Sequence, residues 1–168
     1  MIVSHPQQRV LRLALVDDRD SSLWAGTARP MRLAIVGSRS LDGNPEALSV
    51  IRTVLDAYQA RHTALVVVSG GAVGIDRMAA AEARRRGLEV VEHMPAGATW
   101  RHYRERNQRI AEDCDELVRI ADPRSRTYGS AWTRDRAREL GRPTTEYAIT
   151  GRPQPNRRAT AALRGIDA

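Results

Sequence analysis

The stretch Ala64-Leu-Val-Val-Val-Ser-Gly-Gly-Ala-Val-Gly-Ile-Asp76 decides the architecture. A short run of β-branched and aliphatic residues with no polar face reads as a strand buried on both sides. It then breaks into glycines, and the alanine-rich segment from about Val73 to Arg86 follows, ending at Gly87. Strand, glycine turn and helix in that order form one half of a β-α-β unit. Glycines between a strand end and a helix start let backbone N–H groups approach an anion, and the positive end of the helix dipole favours negative charge there. The same glycines are also what a tight turn and close helix packing require. The spacing is not a regular dinucleotide fingerprint, because Ser69 stands where G-x-G-x-x-G has its first glycine.

Working outward, similar apolar runs occur at Leu33 to Val36, Leu88 to Val91, Leu117 to Ala121 and Thr144 to Ile149. Between them the apolar spacing predicts helices: one after Asn44 and Pro45 with Leu48, Ile51, Leu55 and Tyr58 on one face, one from about Trp100 to Cys114, and one from about Ala131 to Leu140. The prediction is an α/β, Rossmann-like, doubly wound fold: a mostly parallel five-stranded sheet with helices on both faces. It occupies residues 31–150. Residues 1–30 form an N-terminal extension in which Val10 to Val16 could add one strand, and Met31 is a candidate functional start. Residues 151–168, broken by Gly151, Pro153 and Pro155, read as a basic flexible tail.

The chain has 168 residues, 42% hydrophobic and 28% charged, which suits one domain and one main site. Its longest apolar run, Ala64 to Val68, is far short of the roughly 20 residues of a membrane-spanning helix. No secretory signal pattern precedes it, so a cytoplasmic location without membrane contact is expected. Cys114 is the single cysteine, which excludes an internal disulfide and a thiolate zinc site. His93 and His102 are too isolated to indicate a metal, and no metal or required cofactor is expected. The formal charge is +7, and all 27 basic residues are arginine. That bias runs along the whole chain, and with three Trp, four Tyr and no Phe it carries little sign of a base-stacking nucleic-acid face.

Ligands of open α/β sheets bind at the C-terminal edge, so the residues after each strand are the site candidates. After the first strand come Gly37, Ser38, Arg39 and Ser40, with a guanidinium placed to fork onto a phosphate. After the second come Ser69, Gly70, Gly71, Gly74 and Asp76, the last also well placed to favour the first helical turn. Glu92 ends the third strand and could act as a ribose-binding acid. The helix beyond it carries Arg106 and Asn107, the latter a polar residue on a packing stripe, suited either to a loop backbone or to a ligand. Gly129 and Ser130 precede the last helix as a cap, an anion-binding start, or both. No catalytic nucleophile or general base declares itself.

Together, Val36-Gly-Ser-Arg-Ser40, Val68-Ser-Gly-Gly-Ala-Val-Gly-Ile-Asp76, Arg106-Asn107 and Gly129-Ser130-x-x-Thr133 resemble the SLOG superfamily over about Met31 to Tyr147. That group of Rossmann-like domains includes the DNA-processing protein A (Smf) proteins and the Lonely Guy phosphoribohydrolases. The small YspA-related branch, associated with nucleotide-like ligands, is the nearest in length and in the Arg-Asn pair. The resemblance implies a nucleotide or nucleotide derivative, its phosphate on Gly70, Gly71 and the adjoining helix start, with Gly37 to Arg39 and Gly129 to Thr133 lining the rest. Two alternatives stay open: N-glycosidic cleavage of nucleoside monophosphates, and single-stranded DNA binding of the DNA-processing type. Lonely Guy enzymes carry a glutamate in P-G-G-x-G-T-x-x-E, where this chain has Thr133 with Asp135 nearby; the DNA-processing proteins are larger. A homodimer follows by family analogy only.

Overall fold

The computed structural model describes residues 29–126 and 128–150. The expected strand at Val10 to Val16 and the expected tail at residues 151–168 lie outside the described residues. Five strands, β1 (Met31–Gly37), β2 (Leu65–Ser69), β3 (Glu89–Glu92), β4 (Glu116–Ala121) and β5 (Thr144–Ala148), form one sheet in the order β3-β2-β1-β4-β5. Every pairing is parallel, so the sheet is wholly rather than mostly parallel. The connecting helices are α1 (Pro45–Arg61), α2 (Ile75–Arg85), α3 (Trp100–Asp113) and α4 (Tyr128–Glu139), with a short 3-10 turn at Arg39–Leu41.

Side chains alternate across a strand. On β1, Leu33 and Ile35 point into a core shared with Ile51, Val54, Leu55 and Tyr58 of α1 and Ala79 and Ala83 of α2. Ala34 and Val36 point the other way, onto Ile110 and Ala111 of α3 and Ala137 of α4. Each face is thus covered by one helix pair. The central strands are buried as their composition predicts, but β3 and β5 are half-buried or exposed along much of their length, because each is an edge strand.

Local chemistry sets the helix starts. Asn44 Oδ1 accepts the Ala47 N–H at 3.0 Å with Pro45 in the first turn, as its sequence predicts. Thr99 caps α3 in the same way, accepting from the His102 N–H at 3.4 Å. Cys114, the expected end of α3, is its C-cap and not part of the helix interior, and it is buried. One expectation changes. Helix α4 begins at Tyr128, three residues before the apolar pattern announces it, so Gly129 and Ser130 lie in its first turn instead of capping it.

The strand order places the site. From β1 the chain moves to β2 and β3, then returns to lay β4 on the opposite side of β1. The connections leaving β1 and β4 diverge to opposite faces, which opens a crevice at their C-terminal ends.

Candidate functional site

A cavity of about 350 Å³ fills that crevice, near the lower end of the roughly 300–1,000 Å³ usual for small-molecule sites. The end of β1 contributes Gly37, Arg39 and Ser40; the β2–α2 connection contributes Ala72 and Asp76; and α3 contributes Trp100, Tyr103, Arg106, Asn107 and Ile110. The β4–α4 loop adds Ser125 and Arg126, and the first turns of α4 add Tyr128, Gly129, Ser130 and Thr133.

Arg106 is the hinge of its electrostatics. It is 6% exposed, and its Nη1 donates to the Gly70 carbonyl at 2.5 Å. Its Nε is buried with no partner. Desolvation holds its pKa below the usual arginine value, opposed by the nearby Asp76 charge and reinforced by Arg39. The guanidinium carbons of Arg39 and Arg106 lie 6.0 and 5.9 Å from the centroid of the Tyr103 ring, whose π-face attracts cations. Asp76 accepts the Gly37 N–H at 3.2 Å and has the Gly70 backbone beside it. Burial pushes its carboxyl up to about 6, against the pull of Arg106 and of those backbone groups.

The glycine turn is where the expected geometry changes most. The Gly70 amide is turned to Asp76, and the Gly71 amide donates to Ser69 Oγ at 3.1 Å while that hydroxyl donates to the Asp76 carbonyl at 3.2 Å. A Cβ on Gly70 would stand 2.3 Å from Arg106 Nη1, and one on Gly71 would stand 2.6 Å from Met94 Sδ. The Gly71 amide thus serves the protein itself, and the Gly70 amide faces the Asp76 carboxylate. Gly71 (φ +63°) and Gly74 (φ +99°) adopt left-handed backbone that L side chains resist. Gly74 also brings the start of α2 against the Ser38 and Arg39 backbone, where a Cβ would lie 2.5 Å from the Ser38 carbonyl.

Of the residues singled out from the sequence, Gly37, Arg39, Asp76, Arg106, Asn107, Gly129, Ser130 and Thr133 meet at the cavity. Ser38, Ser69, Gly70, Gly71 and Gly74 do not line it. Ser38 is fully buried, its Oγ accepting the Asp122 N–H at 2.9 Å and so tying the end of β1 to the end of β4. Asn107 Nδ2 donates to the Gly129 carbonyl at 3.2 Å, and the residue also lines the cavity. Thr133 Oγ1 donates to the same carbonyl at 2.8 Å. Glu92 pairs with Arg84 at 2.8 Å on the edge strand, two strands from β1, and does not line the crevice.

Sequence reasoning missed Trp100, Tyr103, Arg126 and Tyr128. Trp100 and Tyr128 are 53% and 70% exposed, so neither marks a helix face. Their signal is positional: each opens the helix that follows a strand. Tyr103 was legible only as a packing residue. Among the described residues no group of three or more His, Cys, Asp or Glu side chains could hold a metal, and no helix is long and apolar enough to cross a membrane.

The strand order and the crevice at its reversal define the chain as a Rossmann-like α/β domain. Residues 31–103 match the YspA, cpYpsA-related SLOG family, and the SLOG resemblance carried by the sequence motifs is thereby shown. No curated protein matches the chain. Among solved structures, DNA processing protein A from Streptococcus pneumoniae is similar, with a TM-score of 0.55 and 23% identity over 82% of this chain and 57% of that one. That likeness is one of fold, and this chain spans just over half the length of that protein.

Proposed function

We propose that the chain binds a nucleotide or nucleotide derivative in the β1–β4 crevice, with its phosphate toward Arg39, Arg106 and the start of α4 and its base toward Trp100 and Tyr128. The observation that carries this reading is the desolvated Arg106 guanidinium, which lines a cavity with Arg39 and Arg126 and whose Nε has no partner among the described residues. A desolvated guanidinium with an unmet donor favours an anion. Arg39 makes no ion pair among the described residues, and the amide-rich first turn of α4 presents the positive end of a 12-residue helix to the same space. Two exposed aromatic rings at the mouth suit the flat face of a base.

Binding without turnover is the favoured form. Thr133, where Lonely Guy enzymes carry their glutamate, spends its hydroxyl on the Gly129 carbonyl. Asp135 pairs with Arg134 and lines a separate groove with Trp132. Incubation with nucleoside monophosphates followed by chromatography should release no free base. A thermal-shift series of nucleoside mono- and diphosphates and NAD tests the binding itself, since a ligand that binds only the folded state raises the melting temperature. Stabilisation by at least one of them is expected; none by any, with single-stranded DNA still bound, would overturn the reading.

A further inference from the structure

We propose that the anion enters this cavity together with a proton carried by Asp76, so that ligand binding and protonation of that carboxylate are one coupled event. This rests on the nucleotide reading above and adds a residue role to it. Asp76 is the one carboxylate among the described residues lining the cavity, and it is 6% exposed. The groups facing it are the Gly37 amide of β1, the Gly70 amide of the β2–α2 turn and the Arg106 guanidinium of α3. Arg39 of the 3-10 turn and Arg126 of the β4–α4 loop share the cavity with it. On its own helix, Arg77 is turned away to Asp42 at 2.6 Å.

Arg106 and Asp76 attract each other, yet among the described residues they form no contact ion pair; Arg106 bonds to the Gly70 carbonyl instead. An arriving phosphate placed against the Arg106 guanidinium would compete with Asp76 for it and set a second negative charge in the same desolvated space. Like charges sharing a site force one of them to take up a proton. Asp76, which lines the cavity, is the group ready to do so, because burial already holds its carboxyl near 6. Once protonated, it also becomes a donor.

NAD is a suitable probe, since its phosphodiester charge does not change near neutrality, unlike the second ionisation of a phosphate monoester near pH 6. Calorimetry of NAD binding at about pH 7 in two buffers of different ionisation enthalpy should show uptake of between about half and one proton. Affinity should rise on going from about pH 7.5 to about pH 6, approaching tenfold per unit at the upper end, where one proton is fully coupled. Asp76→Asn should lose both the proton uptake and the pH dependence of the NAD affinity it keeps. If that variant does not fold, carboxyl-carbon NMR of the wild type decides: the Asp76 resonance should titrate at higher pH with NAD bound than without. NAD binding with no proton uptake, or with an Asp76 titration unmoved, would overturn this inference and leave the nucleotide reading standing. Failure of NAD and of every nucleoside phosphate to bind at about pH 5.5 would overturn both.

Discussion

Arg39 and Arg106 hold two cations over a single tyrosine ring, with Asp76, its carboxyl pushed up toward neutrality, as the carboxylate that lines the cavity beside them. Such a pair of cations repels itself and gains when an anion arrives. Arg39→Ala should therefore weaken nucleotide binding by about 1.5–3 kcal/mol, the range for a hydrogen bond to a charged group, with little change in melting temperature; titration calorimetry on both proteins checks this. The glycines teach a different lesson. Ser69-Gly70-Gly71 is legible as a turn needing glycine, but the sequence does not say whether a ligand or the protein claims the freed amides. Ser69 Oγ accepts one and the Asp76 carboxylate faces the other, and both were visible as residues while their direction was not. Gly71→Val would therefore strain a left-handed turn and push on Met94 rather than remove a phosphate contact. Gly37→Ala should be harsher, because its Cβ would fall 2.0 Å from the Ile120 carbonyl and 2.6 Å from Ile75. A loss of about 1–3 kcal/mol or more is expected from such overpacking, measured by denaturant unfolding.

At the scale of elements, the strands and the start of α1 were readable because each rests on local chemistry: an apolar run, an Asn-Pro cap. Helix α4 was read late because Tyr128 is exposed and Gly129 and Ser130 lack an apolar side chain, so the periodic pattern begins only inside the helix. What fixes its first turn is tertiary. Asn107 of α3 donates to the Gly129 carbonyl, Thr133 donates to the same oxygen, and Ser130 Oγ accepts from Arg119 Nε of β4 at 3.3 Å. Two of these three contacts, from Asn107 of α3 and Arg119 of β4, come from other elements, which no helical pattern within α4 reports. Asn107→Ala should cost about 0.5–1.5 kcal/mol of stability, the worth of one hydrogen bond, because Thr133 still satisfies the carbonyl. Nucleotide affinity should fall more than that loss alone explains, since the α4 start shifts relative to Arg106. Equal affinity in a calorimetric comparison would mean that this turn does not position the ligand.

For the molecule as a whole, two buried carboxylates on α2 pull stability in opposite directions with pH. Glu82 is 4% exposed and gripped by Arg85, Arg86 and Arg52, which hold its carboxyl down to about 2; its contribution is complete above the ordinary glutamate value of 4.5 and is lost as pH falls toward 2. Asp76 does the reverse. Its carboxyl stands near 6 in the folded chain against 3.8 for an ordinary aspartate, so the folded state holds the proton more tightly than the unfolded one. Stability linked to Asp76 is therefore full below about pH 4 and falls as pH rises to about 6, by roughly 2–3 kcal/mol in all at 1.36 kcal/mol per pKa unit. The two windows scarcely overlap, which makes them separable. Urea unfolding between about pH 4 and pH 7 should show the wild type losing stability with rising pH relative to Asp76→Asn, whose side chain carries no charge to desolvate. Parallel curves across that range would mean that Asp76 titrates as it does in the unfolded chain, and the cavity would then be far wetter than its burial implies.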